Sequence, residues 1–124
     1  MGILIGNLLQ MAPVKAITPA TAKVWVVQDN DSQGYKVYQK AFDQLSLDAP
    51  TRKLILQTNQ KIDQEHLGKY VLLRLVIKQG QVDKLLFQNE YGDIRAYRVF
   101  KGKVDAECAL LLSANDGLGW CSEK

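Results

Sequence analysis

Between residues 69 and 112, apolar and polar positions fall into four runs separated by very short polar breaks. The runs are KYVLLRLVIK (69–78), QVDKLLFQN (81–89), IRAYRVF (94–100) and KVDAECALLL (103–112). They are rich in Val, Ile, Leu, Tyr and Phe, which suit a pleated, half-buried surface. The breaks Gln79-Gly80, Glu90-Tyr91-Gly92-Asp93 and Lys101-Gly102 each contain a glycine. Turns this short join antiparallel neighbours, because parallel pairing needs a long crossover. The pattern predicts an antiparallel four-stranded meander over about 69–112. A two-residue turn at Gln79-Gly80 sets Ile77 against Val82, Leu75 against Lys84 and Leu73 against Leu86. On the other face it sets Val76 against Asp83, Arg74 against Leu85 and Leu72 against Phe87. The unbroken stripe Val71, Leu73, Leu75, Ile77 is then expected on the core. Tyr70, Leu72, Arg74 and Val76 are expected on a partly covered face, since a slip of one residue would exchange the two.

Upstream the period changes. Leu54, Ile55, Thr58 and Ile62 share one face of a helix over about 48–64. Asp48 is placed to cap it, Pro50 lies in its first turn and Gly68 ends it. That face should pack on the apolar side of the meander; a strand over 54–57 is the competing reading. Residues 23–28 (KVWVVQ) read as a strand, and 35–39 (YKVYQ) can pair with it across the polar stretch 29–34. Tyr35, Tyr38, Phe42 and Leu45 also fit a helix face. A strand running into a short helical turn near 41–45 satisfies both patterns. The fold class is therefore α+β, β-dominated: the meander, an N-terminal strand or hairpin, and one packed helix.

Composition narrows the picture. The 124 residues suffice for one domain with a single core. With 47% hydrophobic and 23% charged residues the chain is of ordinary globular type, which excludes a coiled coil or a disordered chain. A net charge of +3 and a pI near 8.9 are too mild to imply nucleic acid without a clustered basic stripe.

Residues 1–22 differ from the rest. The run 3–14 is apolar apart from Asn7 and Gln10. It leads into Val14-Lys15-Ala16 and then Ala20-Thr21-Ala22, and both carry small residues where a signal peptidase reads. The run is too short for a membrane span, which takes about 20 residues. No Lys or Arg precedes it. One reading is a truncated signal peptide ahead of a globular domain over 23–124, which implies a periplasmic or secreted protein. The other is an N-terminal arm kept on the sheet, compatible with the cytoplasm. Cys108 and Cys121 lie 13 apart. In an exported protein they are expected to form a disulfide, closing a loop worth about 3 kcal/mol in the chain-entropy model. In the cytosol they would be two thiols. Between them, Asn115-Asp116-Gly117 reads as a turn and Trp120 as an apolar anchor.

Candidate chemistry is sparse. His66, the only histidine, follows Asp63 and Glu65 and suits a helix C-terminus. A Cys–His nucleophile or a zinc site built on it would need contacts that spacing does not supply. Asp29-Asn30-Asp31-Ser32-Gln33-Gly34 begins like a calcium loop. It then places Gln33 and Lys40 where ligands are required, so a polar hairpin turn is the better account. No cofactor and no metal are expected. Tyr70, Arg74, Lys84, Phe87, Tyr91, Arg95, Tyr97, Arg98 and Lys101 interleave rings and cations, as single-strand-binding sheets do. Phe87, Asn89, Gly92 and Ile94 resemble the F-x-N/D-x-x-G-x-I hairpin of small bacterial OB-type barrels. That resemblance implies a nucleic-acid-binding sheet, and it covers only the stretch around this hairpin. Strand alternation places Arg95 and Tyr97 on one face and Arg98 on the other.

The leading expectation is a small exported, non-enzymatic binding protein of inhibitor or immunity type. It would meet another protein through Tyr91, Arg95, Tyr97 and Arg98, residue types enriched at interface hot spots. The alternative is an OB-like nucleic-acid binder. A cysteine–histidine enzyme is a third reading and requires a free thiol.

Overall fold

The computed structural model describes residues 18–29, 34–108 and 121. The expected extension of the last strand to Leu112, the 115–117 turn, the Trp120 anchor and most of segment 1–22 lie outside these. Six strands and one long helix follow in order. They are β1 (Lys23–Asp29), β2 (Tyr35–Ala41), a 3-10 turn (Phe42–Gln44), α1 (Ala49–His66), β3 (Tyr70–Lys78), β4 (Gln81–Asn89), β5 (Ile94–Phe100) and β6 (Lys103–Cys108). The α+β, β-dominated class holds, and so does the strand that runs into a short helical turn at Phe42. The strands form one sheet in the order β2-β1-β3-β4-β5-β6, with β2 and β6 at opposite ends. Among the described residues the sheet is open, with no pairing between β2 and β6 that would close the barrel the OB likeness implies.

Local chemistry explains the meander. Gln79 and Gly80 both have positive φ (53° and 75°), as do Lys101 and Gly102 (53° and 77°). These are the conformations that match a two-residue hairpin to the strand twist. The longer turn after β4 is held by the Asn89 side chain, whose Oδ1 accepts from the N–H groups of Tyr91 (3.0 Å) and Asp93 (2.8 Å). One pairing was not foreseen: β1 lies parallel to β3, with Trp25 level with Arg74 and Val27 with Val76. The chain between them contains β2 and α1, long enough for the crossover a parallel pair requires.

The register of β3 on β4 corrects the expected faces. Ile77 meets Val82 and Leu72 meets Phe87, as predicted, but between them Leu75 meets Leu85 and Arg74 meets Leu86. Asp83 on β4 and Leu73 on β3 are therefore extra residues in two compensating bulges. A bulge turns the alternation over. Tyr70, Leu72, Leu75 and Ile77 consequently face α1, with Leu85, Phe87, Tyr97 and Val99 beside them. Leu73 and Val76 join a second cluster with Val27, Leu86, Ala96 and Cys121 on the opposite face.

Helix α1 covers the first face with Ile55, Thr58, Asn59 and Ile62. Thr58 satisfies its hydroxyl on the Leu54 carbonyl (2.7 Å). Asn59 and Asp63 clamp the first residue of β3: Asn59 Nδ2 donates to the Tyr70 carbonyl (2.6 Å), and Tyr70 N–H donates to Asp63 Oδ1 (2.7 Å). Asp48 occupies the N-cap position without a side-chain cap bond. The helix is closed by Leu67 in the left-handed region (φ 49°), one residue before the expected Gly68. Gly68 serves a different purpose, because a Cβ there would lie 3.1 Å from Asn89 Nδ2. From the first turn of the helix, Arg52 stacks on Phe42 and donates to the Phe42 and Leu45 carbonyls.

The described part of the N-terminal segment is built into this corner. Ala22 is 2% exposed; its carbonyl accepts from Phe42 N–H (2.8 Å), and that of Ala20 from Asp43 N–H (2.9 Å).

Candidate functional site

Of the four exposed large apolar side chains on the described strands, three (Trp25, Tyr35 and Val37) lie on the β1–β2 hairpin and the fourth is Phe100. In KVWVVQD, Val24 and Val26 are fully buried toward α1, which turns Trp25, Val27 and Asp29 to the opposite face. Antiparallel pairing sets Gln39 beside Trp25, Val37 beside Val27 and Tyr35 beside Asp29. Trp25, Tyr35 and Val37 are 40%, 45% and 57% exposed. Trp25 and Val37 are diagonal neighbours on this face. Asp29 braces the hairpin, its carboxylate accepting from Gln79 N–H (3.1 Å to Oδ2). On the helix side, Tyr38 donates to Gln28 Oε1 (3.3 Å) and lies between two ammonium groups, Lys36 at 5.3 Å and Lys40 at 5.8 Å from the ring centroid. A groove of about 260 Å³ opens next to them between Tyr38, Lys40, Leu45 and Ile77. A larger one of about 530 Å³ continues past Leu47 to Val82, Val99 and Lys101.

The four residues expected to bind are distributed over both sides of the sheet. Tyr91 stands in the β4–β5 turn, 79% exposed. Arg95 and Tyr97 share the helix-facing side and Arg98 is on the other, as alternation predicts. Arg95 is held by Asp93 (3.4 Å) and Glu107 (3.3 Å), and Arg98 by Asp105 (2.7 Å). Tyr97 is 8% exposed, and burial pushes its hydroxyl up to about 12. Around Arg95 a polar cluster forms at the end of α1. The buried Tyr70 donates its hydroxyl to Asp93, and His66 meets the Tyr70 ring edge-on at 6.3 Å. Burial, then the Asp93 carboxylate, raises the Tyr70 pKa above its ordinary value. The Tyr70 hydroxyl, then the Arg95 guanidinium, holds the Asp93 carboxyl below its own.

Two further sequence features resolve. Cys108 and Cys121 are bonded, with their Cα atoms 4.7 Å apart, which leaves no free thiol for a cysteine–histidine pair. Of the rings expected to stack on bases, Tyr70, Phe87 and Tyr97 lie in the core. The sequence reading pairs residues 23–28 with 35–39 but assigns no binding role to either strand. The signal was present: once Val24 and Val26 are assigned inward, period two puts Trp25 outward beside a second strand rich in Tyr and Val.

No family model matches the chain, and comparison with curated proteins and with solved structures returns no match.

Proposed function

We propose that this chain is a small exported, non-enzymatic binding protein, of inhibitor or immunity type, that engages another protein through the β1–β2 hairpin. The observation that carries this reading is the grouping of exposed Trp25, Tyr35 and Val37 on one face of the β1–β2 hairpin. Trp and Tyr dominate interface hot spots, and a rigid sheet presents them at little entropic cost. The Cys108–Cys121 bond supports an oxidising compartment. It ties residue 121 to β6 at the far end of the sheet from the hairpin. No helix of the described residues is long and apolar enough to cross a membrane. We set nucleic-acid binding second, because Arg95 and Arg98 are paired with carboxylates and three of the four expected stacking rings, Tyr70, Phe87 and Tyr97, are buried.

The test is an affinity comparison with a partner captured from the cell envelope. Trp25→Ala with Val37→Asp is expected to weaken binding by roughly thirtyfold or more, the cost of losing a hot spot. Leu56→Asp, exposed on the helix, is expected to leave it unchanged. Equal effects from both variants contradict the assignment.

A further inference from the structure

Strand β2 is the edge of the sheet among the described residues, and its two faces differ. Tyr35, Val37 and Gln39 line one, Lys36, Tyr38 and Lys40 the other. The phase of its backbone bonds follows from one contact. Phe42 N–H donates to the Ala22 carbonyl, which extends the β1–β2 ladder by one pair. In an antiparallel ladder, hydrogen-bonded pairs alternate with non-hydrogen-bonded ones. Counting back from Phe42, residues Lys40, Tyr38 and Lys36 turn their backbone groups toward β1. Gln39, Val37 and Tyr35 turn theirs away from the sheet, where an incoming strand would find them. Such a strand, running antiparallel, would form its non-hydrogen-bonded pairs opposite Lys36, Tyr38 and Lys40, and side chains approach most closely in those pairs. Neither lysine is in an ion pair with a described residue.

We infer that β2 is a docking edge for an extended acidic segment of another protein, which adds to the sheet antiparallel to β2 with carboxylates opposite Lys36 and Lys40. This rests on the hairpin reading above and names the chemistry of its partner. The segment it fits has two acidic residues four apart, with apolar residues between them beside Val37 and Gln39. A second copy of this chain fits badly. With Tyr38 paired to itself, each Lys36 would face the other copy's Lys40, and like charges directly opposite are destabilising. Exposed lysines on an edge are also a common guard against self-pairing.

The experiment is residue-resolved amide exchange on the full-length oxidised protein, with end-blocked Ser-Glu-Val-Thr-Val-Glu-Ser as probe. Its counterpart carries Lys in place of both Glu, and oligo(dT) is the nucleic-acid control. The free protein is expected to exchange the Val37 and Gln39 amides fast and the Tyr38 and Lys40 amides slowly. The acidic peptide slows Val37 and Gln39, the basic one binds about tenfold more weakly, and Lys36→Glu with Lys40→Glu inverts the preference. Exchange at Val37 and Gln39 unchanged by either peptide overturns strand addition. If Trp25 and Val27 signals still shift, the hairpin survives as a contact surface; if they do not, that reading fails too. Slowing without charge preference, or tighter binding of oligo(dT), also overturns the inference.

Discussion

A chain that begins at Lys23 tests whether Ala20-Thr21-Ala22 is a processing signal or part of the fold. Removing the residues before Lys23 deletes two acceptors, the Ala22 and Ala20 carbonyls, from the Phe42 and Asp43 N–H groups. Each backbone bond is worth about 1 kcal/mol net. The buried Ala22 methyl adds roughly 0.8 kcal/mol, and part of the Phe42 ring, itself 3% exposed, would lose its cover. The expected cost is about 2–3 kcal/mol, an apparent melting point lower by about 10–20 °C for a domain of this size. The assay compares urea melts of chains beginning at Ile17 and at Lys23, both oxidised. Equal midpoints would refute the reasoning and restore cleavage after Ala22. The expected difference speaks against cleavage after Ala22, since processing at Val14-Lys15-Ala16 would retain both carbonyl acceptors.

Three more outcomes follow from the core and the tail. Asn59→Leu leaves the Tyr70 carbonyl without its donor inside the protein, an expected loss of about 1–3 kcal/mol in chemical denaturation. Asp63 should continue to hold the Tyr70 N–H. Tyr70→Phe removes the chief cause of the lowered Asp93 pKa and should cost roughly 1 kcal/mol at neutral pH, since Asp93 is half exposed. A depressed carboxylate contributes stability above its unfolded value and loses it as pH falls through its folded value. The gap between wild type and variant should therefore be full above about pH 5, narrow as pH falls past the ordinary carboxylate value of about 4, and close only below the lowered folded value, in melts run across that range. Cys108→Ser should cost about 3 kcal/mol in urea melts, and reduction of the wild type should reproduce that loss.

The elements were legible because their local signals agreed. The Gly-containing turns marked the meander, the period of Ile55, Thr58 and Ile62 marked the helix, and Phe42 with Leu45 marked the turn after β2. The bulges were not legible. In YVLLRLVI both phases are apolar, so the sequence permits either face inward until Leu73 and Asp83 are seen as extra residues. The parallel β1–β3 pair is set by tertiary packing and leaves no local mark. The bonds of Asn59 and Asp63 to the Tyr70 backbone depend on where β3 begins and leave no local mark. Arg95 reads from the sequence as a binding residue, and its two carboxylate partners come from the neighbouring turn and strand.

The measurement closest to the central claim is site-specific photo-cross-linking in living cells, with the reactive group at Val37 and, as control, at Leu56 on the helix. Both positions are exposed on regular elements. The account predicts one discrete cross-linked protein from Val37 that disappears with Trp25→Ala, and none from Leu56. The same yield from both positions, or a Val37 product indifferent to Trp25, would contradict it.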